Sequence, residues 1–216
     1  MNIALEFAGE FETHFTISTT GPGSVENLIR YGQAYGLKCT HIVLQQGATP
    51  SQPMLTRHGH GVLSSQIGKA RDCAAALNAE GFAVNRIKIE AAPFNEDIPR
   101  SNGDALAQPL DRYFEHHIKL LLDGEADMNA IAKIAMEHSA HLSRNAHKIR
   151  TDGLGERFVT QRCLRIGQIE ARQRLDSLLK DLSPQYDIVD IEEEYVVYDN
   201  NLALDSGWLN AERKSQ

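Results

Sequence analysis

Two short stretches hold the same pair of chemically useful side chains at the same spacing. Phe11-Glu12-Thr13-His14-Phe15-Thr16-Ile17 and Phe114-Glu115-His116-His117-Ile118-Lys119-Leu120 each carry a glutamate and, two residues on, a histidine. Alternate residues of a β-strand project from one face. A carboxylate and an imidazole placed there can act as acid and base or share a divalent cation. His14 and His117 are the candidates for proton transfer, and Glu12, His14, Glu115 and His117 for metal ligation. The next residues on the same faces, Thr16 and Lys119, join them as candidate ligand contacts.

The surrounding elements must hold these strands in place. Both stretches alternate apolar and polar side chains, the pattern of a half-buried strand. After the first strand, Ser24 reads as the cap of a helix closed by Gly36. The run 39–44 is a second strand, and Met54 to Arg57 opens a third that Gly59 and Gly61 should end. A helix capped by Ser64 or Ser65 and a fourth strand over 84–91 follow. That strand puts Arg86, Lys88 and Glu90 on the polar face. The order restarts with a strand at 113–122, a helix from Met128 to about Lys148, a strand at 158–163, a helix over 168–182 and a strand at 186–198.

Each half thus reads β-α-β-β-α-β, with one strand of the second half unaccounted for, and that gap predicts an earlier end to the helix begun at Met128. His14 and His117 lie 103 residues apart, Thr56 and Thr160 104, and Ile89 and Ile191 102. The expected fold is α+β, a tandem duplication of a ferredoxin-like (βαββαβ) unit, with two antiparallel sheets and helices on one face of each. The units span 1–92 and 113–198, joined by a linker or surface loop at 93–112 and followed by a tail at 199–216. Two open polar faces in one chain can pack together or form a cleft, where ligand sites concentrate. A polar face kept only for solubility would need the same residues.

The turn expected after the third strand, Thr56-Arg57-His58-Gly59-His60-Gly61, precedes a helix start, where backbone N–H groups attract anions. Its counterpart begins Thr160-Gln161-Arg162. Thr56, Arg57, His58, Thr160 and Arg162 therefore join Glu12 and Glu115 as candidate ligand contacts. His14-Phe15-Thr16 resembles one copy of the His-x-Thr/Ser motif of two-histidine phosphoesterases, which have two pseudo-symmetric lobes. The resemblance implies acid–base work on a phosphoester. The second copy departs from it, with Lys119 where a hydroxyl belongs, although a lysine can hold phosphate as a point charge.

A net charge of −7 argues against general nucleic-acid binding, which needs a basic footprint. Three widely spaced cysteines, Cys39, Cys73 and Cys163, form no CxxC pair and read as reduced thiols of a cytoplasmic protein. No signal peptide or apolar membrane span is expected. No motif demands a cofactor. Glu137, His138 and His141 read as structural residues on one helix, and Asp190, Glu192, Glu193 and Glu194 as a solvated strand face. The tail through Trp208 either docks on the core or closes Asp199 or Asp205 over the cleft. The expected function is binding of a small anionic molecule, phosphorylated ones included, between two pseudo-symmetric halves, with histidine-based hydrolytic or transfer chemistry as its extension. The alternatives are a non-catalytic interaction or regulatory module, a homo-oligomer through an exposed sheet, and a divalent-metal-binding protein using the Glu-x-His strands.

Overall fold

The alternation in the first strand resolves into two environments. Phe11, Phe15 and Ile17 are buried in an apolar core, whereas Glu12, His14 and Thr16 line a polar cavity on the opposite side. The computed structural model describes residues 6–18, 25–146 and 153–207. Its strands are β1 (Ala8–Ile17), β2 (Lys38–Leu44), β3 (Ser51–Val62), β4 (Val84–Ala91), β5 (Tyr113–Leu122), β6 (Ala140–Asn145), β7 (Gly155–Leu164) and β8 (Asp187–Asp199). The helices are α1 (Val25–Tyr35), α2 (Leu63–Ala79), α3 (Asn102–Leu106), α4 (Met128–Glu137) and α5 (Gln168–Leu182), with a 3-10 turn at Leu202–Asp205. The fold is mixed α+β, with one large antiparallel sheet and these five helices.

The expectation of two separate sheets is corrected. All eight strands form one closed barrel in the order β1-β3-β2-β6-β7-β5-β8-β4. Each half keeps the strand adjacency of a βαββαβ unit. β2 then pairs with β6, and β4 with β8. Closure satisfies the backbone groups that two open sheets would leave bare at four edges. It also turns both polar faces into a common lumen and leaves both apolar faces outside, against the helices. One core joins β1, β3 and β4 to α1 and α2 around Phe15, Leu28, Leu55 and Leu77; the other joins β5, β6 and β7 to α4 and α5 around Ile118, Ile131, Val159 and Leu175.

Three local expectations are corrected. The helix from Met128 ends at Glu137, where Ser139 takes φ 53° and turns the chain into β6. That supplies the missing strand and moves His141 from a helix onto it. Second, β3 continues through both glycines to Val62, with Gly59 opposite Phe11 and Gly61 opposite Gly9. Gly59 answers a packing demand, since a Cβ there would lie 2.3 Å from Gln66 Oε1 of α2. Gln66 is buried and donates to the His60 carbonyl. Third, α2 starts at Leu63, and its Ser64 N–H donates to Glu6 Oε1 at 2.8 Å. The protein's own carboxylate therefore occupies the helix start expected to attract an anion. The Ser24 cap falls outside the described residues.

The segment over 93–112 is packed in place. Ser101 and Asp104 form a capping box on α3. The carbonyls of Pro99 and Arg100 accept from the Gln168 and Ile169 N–H groups at the start of α5. Gly167 is required there because a Cβ would meet Ser101 backbone at 2.4 Å. Among the described residues, no helix is long and apolar enough to cross a membrane.

Candidate functional site

All eight strands contribute side chains to a lumen cavity of about 310 Å³. β1 supplies Glu12, His14 and Thr16, and β5 supplies Glu115, His117 and Lys119. Across the ladders, Glu12 faces Glu90 and His14 faces Lys88. In the other half Glu115 faces Glu194 and His117 faces Glu192. The ladder between β4 and β8 slips between Ile89 and Glu90. Such a bulge changes the alternation of a strand, so Glu194 and Asp199, an odd number of residues apart, both reach the lumen side.

Two matched groups result. Glu12, His14 and Glu194 bring ligand atoms within 4.8 Å of one another, as do Glu90, Glu115 and His117. Each group takes its Glu-x-His pair from one half and its third carboxylate from the other. The rings are held alike: His14 Nδ1 bonds Thr56 Oγ1 at 2.8 Å, and His117 Nδ1 bonds Thr160 Oγ1 at 3.0 Å. A hydroxyl can donate or accept, so threonine serves either tautomer. Both Nε2 atoms then face carboxylates. His14 Nε2 lies 2.5 Å from Glu90 and 3.9 Å from Glu12, and His117 Nε2 lies 3.5 Å from Glu194 and 3.6 Å from Glu115.

Charge pairing sets the protonation states. Burial opposes the charge on Glu90, but Lys88 and His14 beside it hold its carboxyl down at about 2. Burial likewise disfavours charge on Glu115, yet Arg162 and Lys88 keep it well below the usual carboxylate range. Burial disfavours the His117 cation, but a hydrogen bond and charge from Glu194, with charge from Glu115, raise it to about 9. Glu194 itself is pushed up to about 7 by burial and by Glu90, with His117 pulling the other way.

One end of the lumen is closed by the chain after β8. Asp205 is buried and accepts from Arg86 Nη1 at 2.9 Å, Arg162 Nη2 at 2.8 Å and Gln52 Nε2 at 3.0 Å. Arg86 also pairs with Asp199, and Arg162 with Glu115. The Ser206 carbonyl accepts from Ala48 N–H in the β2–β3 turn, so the segment spans the barrel end. Leu204 is buried alongside Asp205, so the segment both docks on the protein and lines the lumen end. Trp208 lies outside the described residues. Among the lining residues Lys38 and Glu192 are exposed and mark the cavity's accessible side.

Of the sequence candidates, Glu12, His14, Thr16, Thr56, Glu115, His117, Lys119, Thr160 and Arg162 all line the cavity. His58 stands at its edge, 3.3 Å from Glu12 and largely exposed. Arg57 is a correction: strand alternation turns it to the outer face, where its charge acts on Cys73 of α2. His138 pairs with Asp181 between α4 and α5, outside the lumen. Lys88 and Glu90, read as open-face residues, prove central. Glu192 and Glu194, which the sequence presents as a solvated strand face, edge protection or partners for arginines, also line the cavity. The offset of 104 that carries Thr56 to Thr160 also carries Lys88 to Glu192 and Glu90 to Glu194, a signal sufficient to have paired them.

No protein-family model matches this sequence, and no curated protein matches it. Among solved structures, it is similar to the acetolactate synthase small subunit from Thermotoga maritima, at 11% identity and a TM-score of 0.31 over 88% of this chain and 95% of that one. It is also similar to the regulatory subunit of aspartate kinase from Thermus thermophilus, at 11% identity and a TM-score of 0.32 over 82% and 96%. Likenesses this slight carry no functional inference.

Proposed function

We propose that the barrel lumen binds a small anionic molecule through a divalent cation held by the Glu-x-His strands. The observation that carries this reading is the repeated histidine geometry. In each half a threonine holds Nδ1 and leaves Nε2 directed into carboxylates from two strands, the outer-shell arrangement that orients a metal-ligating imidazole. Charge supports the cation. The cavity wall carries Glu12, Glu115, Glu156, Glu192, Glu194 and Asp205 against Lys38, Arg86, Lys88, Lys119 and Arg162, with Glu90 and Asp199 behind it. Even with the His117 cation counted, carboxylates outnumber the cationic groups, and a divalent cation offsets the difference for an incoming anion. Lys38, exposed in the lining, is the base that suits its remaining charge, and Lys119, paired with Asp190, belongs to the same wall. The matching element order and ladder registers also support reading the halves as duplicated units.

Calorimetric titration of chelator-stripped, tag-free protein with Mn²⁺ tests the cation, with His14→Ala expected to lose the binding. A panel of phosphorylated compounds should then raise the melting temperature in Mn²⁺ and not in chelator. Equal stabilisation in chelator would sink the cation-dependent reading. Turnover of a phosphoester by the metal-free protein would instead favour proton transfer by His14 and His117.

A further inference from the structure

We infer that the lumen takes one divalent cation, at Glu12, His14 and Glu194, because Lys88 fills the matching position beside Glu90, Glu115 and His117 with its own ammonium group. This deepens the cation reading above and rests on it. The ladder registers relate the two positions. Exchanging the halves carries Glu12 and His14 onto Glu115 and His117, and Glu194 onto Glu90; the same exchange carries Glu192 onto Lys88. The two groups match in every ligand, then, and differ in the residue two before the third carboxylate on its strand, Lys88 before Glu90 and Glu192 before Glu194.

Lys88 Nζ lies 2.6 Å from Glu90 Oε1 and 2.5 Å from Glu115 Oε2, bridging the two carboxylates of its group. A compact ammonium can serve as a fixed point charge where a metal ion would otherwise stand. At the other group the same strand position holds Glu192, which adds negative charge. The ligand set there, two carboxylates and one imidazole, suits Mn²⁺ and related divalent ions, and its spread within 4.8 Å is close to the span that ligand bonds of roughly 2.0–2.2 Å cover around one ion. Glu90 shows how fully the second position is taken up. Its carboxylate is only 1% exposed and lies 2.5 Å from His14 Nε2 and 2.6 Å from Lys88 Nζ. Lys88 Nζ supplies the fixed positive charge nearest to it.

The test is Mn²⁺ stoichiometry, measured by calorimetry and by the loss of the free-ion electron spin resonance signal on chelator-stripped protein. Wild type should bind one ion. Lys88→Gln should open the second position and bind two, while Glu192→Lys should place an ammonium at the first and bind none. Two ions in wild type, or one ion in wild type and in both variants, overturns the inference and leaves the cation reading standing. No ion in wild type or either variant overturns both. Glu192 is exposed, so Glu192→Lys remains decisive if Lys88→Gln fails to fold; its melting curve should match wild type while ion binding is lost.

Discussion

Asp205→Asn is the sharpest probe of how the lumen is closed. The substitution keeps the side-chain size, removes one charge and replaces one accepting oxygen by an NH₂ group. Asp205 is 1% exposed and meets Arg86, Arg162 and Gln52. Breaking a buried ion pair outright costs about 3–5 kcal/mol. Here Arg86 keeps Asp199 and Arg162 keeps Glu115, so neither guanidinium is stranded. We therefore expect a loss of about 2–3 kcal/mol, near two charge-assisted hydrogen bonds at roughly 1.5 kcal/mol each. For a chain of this size that lowers the melting temperature by roughly 4–12 °C. Urea unfolding followed by circular dichroism measures it, provided the slope with denaturant is unchanged. A pH series adds a sign. Burial pushes Asp205 up, but Arg162 and Arg86 bring it below the ordinary aspartate value. Its stabilisation is therefore complete above the unfolded pKa of about 3.9 and fades as pH falls through the lower folded value. The gap between wild type and variant should narrow in acid. A loss below about 0.5 kcal/mol, the range of an ordinary surface change, would refute the closure as described.

Two further outcomes follow from geometry. Gly59→Ala should destabilise by about 1–3 kcal/mol through overpacking against Gln66, and Gly59→Ala in a Gln66→Ala background should cost markedly less; equal costs in a double-mutant cycle would exclude that contact as the cause. Thr56→Val should leave the fold intact and weaken Mn²⁺ binding by roughly 10- to 100-fold, the usual effect of removing a group that orients a ligating histidine, and an unchanged calorimetric affinity would count against His14 as a ligand.

The sequence was most informative where alternation and spacing acted together. β1 and β5 emerge with their inward and outward faces assigned, because Phe15 and Ile118 must be buried and Glu12 and Glu115 solvated or paired. Closure was not legible, since the pairing of β2 with β6 rests on a short ladder from Ile42 to Leu44 that leaves no local pattern. The turn chemistry misled at Gly59 and Gly61, where the strand continues: Gly59 serves close packing against α2, and Gly61 takes a φ of 126°. Glu194 was missed because a strand of consecutive acids looks the same whether it faces water or a lumen. Only the partner across the ladder, Glu115, distinguishes the two.

Each Glu-x-His pair is completed by a carboxylate from the opposite half, and this has a consequence for the chain's symmetry. The first half alone would carry Glu12 and His14 without Glu194. Two identical copies closed face to face would carry two equal sites, each with a lysine opposite its histidine. Joining the halves covalently lets the two positions carry different residues, so a symmetric frame can hold a single, oriented centre. A polar ligand entering such a lumen has one way round to bind.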